Sequence, residues 1–519
     1  MNLPEDFIRE TRLLMGENRF NRFLGAFDEE APTSIRVNRR KVESGMWNED
    51  TPAADQTTPC PSYSGGENTL QGNHNSPLGS PLATEGTQEF SILNSQFDKV
   101  PWCSEGFYLS GRPQFTFDPL FHAGCYYVQE AASMFITHVI KWIMDNGQWT
   151  MEAPANNYPL SIINHPLQVL DLCAAPGGKS TAMRTVLPEG SVLVSNEPIP
   201  TRAQILLENI TKWGWPDCIV TNNYPRDFRK AKMTFNLILC DVPCSGEGMF
   251  RKDPATISEW SLQNVEKCWR LQREIVAEAW ECLNPGGLLI YSTCTYNIKE
   301  NEENVRWILE TYDAEALTIP TDPSWNITGS LLPGFDAPVY RFIPGITRSE
   351  GLFLCALRKR GVRSEECGGR NVLPQNPGLN VISSPPKLGG ARGGLNQRQT
   401  VPSLLRPSGS KRPSAERRPP LTPPRSALPL GSAKNLGGKT PRVDLPYEEA
   451  LRYLRGEALV LPHDTPRGIV TVTYKGIPLG PAKNIGPRAN NLYPKPWRIK
   501  TTHLPTEPVE ILISEKVKK

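Results

Sequence analysis

The 519-residue chain has only 6 histidines, and its 12 cysteines include no C-x-x-C pair. Zinc sites made from closely spaced Cys and His ligands are therefore not expected, and no metal is assigned. Most of the cysteines lie inside apolar runs, which reads as reduced, buried thiols rather than a disulfide framework. No apolar run approaches the roughly 20 residues needed to cross a bilayer. The opening MNLPEDFIRE also lacks the basic-then-apolar pattern of a secretory signal. A cytoplasmic protein without a membrane partner is expected. Charge of one sign is scarce as well: 57 Lys and Arg against 54 Asp and Glu leave +3, so only the distribution of charge carries information. Hydrophobic residues make up 38%, low for a chain that packs throughout, while 50 prolines and 41 glycines imply segments that do not.

Those segments are visible. Residues 46–95 are rich in Ser, Thr, Pro, Gly and Asn and read as a flexible insertion, since so little apolar area cannot offset chain entropy. Residues 361–440 form a second such segment, a linker with thirteen Lys or Arg against three Glu and no assigned structure. A solvated linker and a basic tether that tracks phosphates both fit it. Between them, apolar strands alternate with helical stretches: QVLDLC (168–173), SVLVSNE (191–197), CIVTNN (218–223), FNLILCD (235–241) and GLLIYST (287–293). That alternation predicts a parallel sheet with helices on both faces. One helix is expected from Ile257 to Cys282, with Gly286 and Gly287 punctuating before the next strand. PVYRFIP and GLFLCALRK lie too close together for a helical crossover and predict an antiparallel hairpin. Residues 3–40 read as helix then strand. Residues 443–519 read as a small β-rich domain with a helix at YEEALRYLRG and strands ALVLP, GIVTVTYKG and VEILIS.

The first strand runs into DLCAAPGGKST, where Cys173, Ala174, Ala175, Pro176, Gly177, Gly178 and Lys179 form a small-residue loop opening a helix. Such a loop lets backbone approach a ligand and presents free N–H groups. Twenty residues after Gly177, Glu197 ends the second strand, where an acid suits ribose hydroxyls. A tight turn is the bland alternative, and the ligand is either a dinucleotide or S-adenosylmethionine. Asp241 and Cys244 end the fourth strand and Cys294 the fifth, so both thiols and the acid should face the same crevice as the loop. Lys179 suits either a charge in that crevice or a surface position.

DLCAAPGGKS, CDVPCSGEGMFRKDP and YSTCTYNIKENEENV resemble three signature motifs of the RNA (cytosine-5) methyltransferases, and SIRVNRRK and HAGCYYVQEAASM resemble their N-terminal segments. GIPLGPAKNIGPRANNLYPK is similar to the PUA-like domain of the bacterial small-subunit ribosomal RNA methyltransferase F branch. The resemblance implies an α/β fold: a Rossmann-like S-adenosylmethionine methyltransferase domain (161–360), an N-terminal RNA-binding-type extension (1–45 and 96–160) and a PUA-like RNA-binding domain (443–519). It implies Cys294 as the thiol that attacks C6 of cytosine, Cys244 as the thiol that helps release the product, and Asp241 near N3. It implies cofactor contacts from Cys173 to Lys179, Glu197 and Asp241. The partner it implies is RNA, ribosomal RNA first, with a monomeric enzyme.

The chemistry agrees: C5 of cytosine is too weak a nucleophile until a thiolate adds at C6 and a proton on N3 absorbs charge. Transfer RNA methylation and a non-catalytic ribosome-assembly role are alternatives, though a binding module needs no thiol pair. A DNA cytosine methyltransferase would leave the Cys294 motif unexplained. Where the family carries an adenine-side acid, this chain has Tyr224, with Asp227 three residues on. RKDP (251–254) and the interleaved Tyr493, Lys495, Trp497 and Arg498 are candidate RNA contacts. The C-terminal domain is expected to dock RNA without touching cofactor affinity.

Overall fold

The computed structural model describes residues 2–42, 89–92, 97–146, 166–360, 381–383, 440–501 and 503–515. Its central sheet follows from five short apolar runs buried on both faces, as parallel strands with helical crossovers require. They are β1 (Gln168–Asp171), β2 (Val192–Asn196), β3 (Cys218–Thr221), β4 (Phe235–Asp241) and β5 (Leu283–Thr293). The parallel order is β5-β4-β1-β2-β3. From β1 the chain steps outward to β2 and β3, then returns to the other side of β1 as β4. The topological switch point therefore falls between β1 and β4, and open α/β sheets take their ligands there, at the carboxyl ends.

The late hairpin forms as expected. β6 (Tyr340–Phe342) pairs antiparallel with β7 (Leu352–Lys359), which also lies antiparallel to β5. Two local expectations need correction. The single helix from 257 to 282 is broken at Ser261, which is extended and caps the second segment: its side chain accepts from the Asn264 amide at 3.1 Å. Helices Ala255–Glu259 and Leu262–Glu281 result. β5 also starts at Leu283, before the two glycines. Gly286 takes φ +74°, and a Cβ at Gly287 would sit 2.8 Å from the Asn284 carbonyl, so the glycines serve a register shift inside the strand rather than a turn ahead of it.

The N-terminal residues fold into two helices, Glu5–Met15 and Glu17–Gly25, and a four-stranded antiparallel sheet of Ser34–Val37, Asp98–Lys99, Gly106–Tyr108 and Tyr126–Val128. Phe7 and Phe23 pack edge-on against Phe250 and Tyr296, so the helices cover the outside of the loops that follow β4 and β5. The C-terminal residues form a sheet of Arg442–Asp444, Gly468–Tyr474, Ile477–Asn484 and Ala489–Asn491 with helix Tyr447–Arg455. This sheet has no separate core. Leu451, Leu454, Val470 and Leu479 share one apolar cluster with Ile35, Val37, Phe107 and Tyr126 of the N-terminal sheet. Tyr447 Oη donates to the Phe117 carbonyl across the junction at 3.0 Å.

Both low-complexity segments hold a strand that composition hides. Glu89–Ile92, inside the expected insertion 46–95, pairs with Leu512–Glu515, which takes the VEILIS strand out of the C-terminal sheet. Val381–Ser383, inside 361–440, adds an antiparallel strand beside β3. Residues 43–88 and 93–96, and in the second segment 361–380 and 384–439, lie outside the described residues. ALVLP makes only a bridge between Leu459 and Ala489. Among the described residues no helix is long and apolar enough to cross a membrane.

Candidate active site

The loop after β1 is pinned from several sides. Gly177 adopts φ +112° at the start of helix Gly178–Val186, a conformation that L side chains rarely take, and a Cβ there would meet Leu206 at 3.2 Å. The loop's carbonyls are held by long side chains: Arg202 donates to Ala175 O at 3.0 Å, and Asn209 and Tyr127 donate to Pro176 O at 2.8 and 3.2 Å. Beneath it, Arg36 of the SIRVNRRK strand is fully buried. It donates to Gln129 Oε1 at 2.8 Å and to Thr181 Oγ1 at 2.6 Å, with its guanidinium 4.3 Å from the Trp213 ring centroid. Burial pulls Arg36 down to about 10, which still leaves it charged at neutral pH. Sequence reading placed SIRVNRRK in the family pattern and assigned Arg36 no task; only the three-dimensional pairing of the sheets shows that it buttresses the cofactor loop.

At the end of β2, Glu197 is fully buried. One oxygen accepts from the Ile199 amide at 2.9 Å; the other has no hydrogen bond and lies 3.4 Å from Arg202 Nη1. A buried carboxylate oxygen left open beside a glycine loop and a helix N-terminus fits the ribose hydroxyls of an adenosyl group. The loop from Cys173 to Lys179 with Glu197 is thus a donor and acceptor set suited to S-adenosylmethionine. Burial pushes the Cys173 thiol well above its usual value, which makes it neutral filler there. At the adenine side, Asp227 does not reach back. Its carboxylate accepts from the Tyr224 amide at 3.0 Å, capping its own short helix, while the exposed Tyr224 ring faces Arg226.

Across the switch point, Asp241 ends β4 and faces the loop. Lys179 Nζ donates to its Oδ2 at 2.8 Å and Ser292 Oγ to its Oδ1 at 2.7 Å. Lys179 is 16% exposed, which settles its two readings in favour of the crevice. Burial pulls its ammonium down, but Asp241, Cys294 and Asp171 together attract it more strongly, and its pKa ends above the usual value. Asp171 beneath them is pushed up to about 7, first by burial, with the Asp241 charge adding to it.

Cys244 and Cys294 meet, with Sγ atoms 3.2 Å apart. They come from the loops after adjacent parallel strands, β4 and β5, so register alone brings them side by side. The Cys244 thiol is held well above its usual range, chiefly by its bond to Cys294 and next by burial. Either sulfur can donate in that contact. Cys173–Lys179, Glu197, Asp241, Cys244 and Cys294 thus all stand at or just beyond the carboxyl ends of β1, β2, β4 and β5.

The RNA-contact candidates fare differently. Arg251 of RKDP is buried against Glu350 at 2.9 Å and reaches Glu29 O. Tyr493 lies in the shared apolar core, and Arg498 donates to its carbonyl; of the four interleaved residues Lys495 is the exposed one. Tyr493 is therefore closed to a base, while Trp497 and Arg498 are half-buried.

Comparison with known proteins agrees with this geometry. Residues 160–358 match the family model described as 16S rRNA methyltransferase RsmB/F, residues 440–499 the methyltransferase RsmF PUA domain, and residues 80–131 the N-terminal domain of 16S rRNA methyltransferase RsmF. The crystal structure of PH0851 shares the fold, with TM-score 0.50 at 19% identity over 69% of this chain and 66% of that one. The Ribosomal RNA small subunit methyltransferase F of Cronobacter sakazakii is 33% identical over 276 residues; the match spans 51% of this chain and about half, 52%, of that protein's length. The protein of the same name from Salmonella agona is 30% identical over 433 residues, spanning 76% of this chain and 84% of its own. Resting on that longer match and on all three family models, the chain belongs to the RsmB/F family of 16S rRNA methyltransferases.

Proposed function

We propose that this chain methylates C5 of a cytosine in small-subunit ribosomal RNA, with Cys294 as nucleophile and Cys244 serving release. The observation that carries the reading is the 3.2 Å approach of two thiols at adjacent strand ends, on the side of the crevice that faces the glycine loop. S-adenosylmethionine, bound along Cys173–Lys179 and Glu197, supplies an electrophilic methyl group. The rest falls to the chain's own side chains.

The Cys294 sulfur adds to C6, forming an S–C bond and moving the C5–C6 electron pair onto C5. The nearby Lys179 ammonium is the kind of charge that a thiolate nucleophile needs beside it. The proton that the Cys294 thiol gives up passes to N3, where charge develops; Asp241, held by Lys179 and Ser292, accepts a hydrogen bond from that N3–H, and the proton leaves to water with the product. Once C5 carries the methyl, its proton must leave; the C–H electrons then rebuild the C5–C6 bond as the C6–S bond breaks. Cys244 suits that task because the largest cause holding its proton is the bond to Cys294. After Cys294 has become a thioether that hold is weakened, and Cys244 can lose its proton to water and take the one from C5. Relatives named for small-subunit ribosomal RNA supply the substrate class.

The test is tritium-methyl transfer to small-subunit ribosomal RNA, with transfer RNA as the comparison substrate. Cys294→Ala should lose at least about 10³-fold in turnover while cofactor binding by calorimetry is retained. Cys244→Ala should remain covalently joined to RNA as a slow band on a denaturing gel, and the double variant should lose that band. Near wild-type turnover by Cys294→Ala would remove it as nucleophile, and methylation of transfer RNA alone would overturn the substrate.

A further inference from the structure

Beneath the two thiols lies a buried polar network. Its two acids, Glu247 and Glu300, are 1% and 0% exposed. Glu247 follows Gly246 in the loop after β4, three residues beyond Cys244. Its Oε2 does not turn to its own loop but accepts from the backbone amides of Tyr296 and Asn297, at 2.6 and 3.0 Å, in the loop that carries Cys294. Its Oε1 accepts from Trp260 Nε1 and Asn297 Nδ2. Glu300 lies six residues beyond Cys294 and does the reverse. Its carboxylate accepts from the backbone amide of Ser245, the residue after Cys244, at 3.0 Å, and from Asn297 Nδ2 at 2.8 Å. Gln272, donating to Glu300 at 2.7 Å, also donates to the carbonyl of Pro243, so both chain neighbours of Cys244 are tied to one group.

Each loop thus supplies the carboxylate that holds the other. Direct ties finish the joint: Ser245 Oγ lies 3.0 Å from Thr295 Oγ1, and the Gly248 amide donates to the Cys294 carbonyl at 2.8 Å. A Cβ on Gly248 would come within 2.7 Å of that carbonyl, so the approach needs glycine. Two acids this deep are costly unless every oxygen is used; burial, with the Glu247 charge adding, pushes Glu300 up to about 7 against the bonds from Ser245, Asn297 and Gln272 that favour its ionised form. A packing role alone would be met more cheaply by apolar side chains.

We propose that Glu247 and Glu300 are positioning residues in a reciprocal clamp: Glu247 places the attacking Cys294, and Glu300 places the releasing Cys244. The proposal rests on the division of labour given above for the two thiols, and it adds that the two steps have separate supports. Carboxylate-to-amide bonds are among the stronger hydrogen bonds, and a displacement near 1 Å at a reacting group can cost about 10²-fold.

The variants are Glu300→Gln and Glu247→Gln, in the full-length chain. A glutamine turns an NH₂ toward donors that need an acceptor, which loosens one loop without removing volume. For Glu300→Gln the expected result is a first-turnover methyl transfer within about threefold of wild type, release slowed about 10²-fold, and a covalent protein–RNA band. Glu247→Gln is expected to slow the first turnover by a similar factor and to show no such band. Both should bind S-adenosylmethionine as wild type does, because neither touches the loop after β1. If Glu300→Gln fails to fold, Glu300→Asp, which keeps the charge and shortens the reach, carries the same expectation.

Cys244→Ala is the control. If it gives no covalent band, the covalent reading itself fails. If it does, yet Glu300→Gln or Glu300→Asp releases product normally, the clamp alone is wrong. Equal losses in both steps for both acids would make their role structural only, and would overturn the proposal.

Discussion

The two ends of the crevice are assembled on different plans. At the cofactor end, between β1 and β2, the working surface is backbone, shaped by small residues and held from outside by Arg36, Tyr127, Arg202 and Asn209. At the cysteine end, beyond β4 and β5, the working groups are side chains, and their support is internal: Glu247, Glu300, Gln272 and Asn297 come from the same two loops and the helix between them. The difference follows from what each end must hold. A cofactor that binds and leaves needs a surface that is rigid but open, which other elements can buttress. Two thiols kept 3.2 Å apart need their own loops locked to each other. Damage to the N-terminal sheet or the C-terminal region should therefore reach the cofactor end first, whereas helices Glu5–Met15 and Glu17–Gly25, whose Phe7 and Phe23 pack on Phe250 and Tyr296, bear on the cysteine end.

The strongest break in that comparison is removal of residues 440–519. The C-terminal sheet is expected to be dispensable for the cofactor if it folds on its own, but its apolar residues complete the core that also holds Ile35, Val37, Phe107 and Tyr126. Exposing that cluster should destabilise the sheet that carries Arg36, and with it the loop after β1. We expect cofactor affinity to fall more than about tenfold, several times the loss from any single contact, together with weaker RNA binding. Calorimetry and a thermal melt of the truncated protein check this. Unchanged cofactor affinity would mean that the N-terminal sheet stands without its partner.

Arg36→Met is the sharper and smaller break. Methionine keeps apolar contact with Trp213 but leaves Gln129 Oε1 without its donor and Thr181 Oγ1 with one bond fewer. The expected loss is about 2–3 kcal/mol of stability and severalfold in cofactor affinity. Denaturant titration with calorimetry measures both, and the first-turnover rate at saturating cofactor should stay near wild type. A selective loss of that rate instead would place Arg36 in support of the cysteine end.

The same contrast explains what was legible in the sequence. The cofactor end is written in local signals: a glycine-rich stretch after an apolar run and an acid at a fixed distance. The two cysteines could be placed in one crevice because strand ends in a parallel sheet converge. Their supports could not be seen. Glu247 and Glu300 stand in quoted motifs, yet an acid in a loop gives no sign of which amides it will meet 50 residues away. Arg36 likewise needs the packing of two sheets before it has a partner. Tyr493 misled because an aromatic residue among basic ones looks alike on a stacking surface and at a core edge. The strands Glu89–Ile92 and Val381–Ser383 escaped because flanking low complexity outweighed four or three residues of β-forming sequence.

Asp171, at the end of β1 where the two plans meet, gives the mildest test. Its Oδ2 accepts from Ser180 Oγ at 2.6 Å, its Oδ1 has no hydrogen bond, and burial, with the Asp241 charge adding, lifts its pKa from 3.8 to about 7. A carboxyl raised on folding binds its proton more tightly in the folded chain than in the unfolded one. The penalty for keeping it buried is absent below the unfolded value, grows as pH rises through the window from about 4 to about 7, and is constant above it. Asp171→Asn removes the titration while keeping the acceptor for Ser180, and it buries an amide without a partner at a cost that does not vary with pH. The difference in unfolding free energy between variant and wild type should therefore move in favour of the variant by about 2 kcal/mol at most from pH 5.5 to pH 8, whatever its starting sign. Urea titrations of both proteins at several pH values read this directly. A difference that is flat with pH would show that Asp171 is already ionised in the fold, and that the junction of the two ends carries two full negative charges, Asp171 and Asp241, around the single ammonium of Lys179.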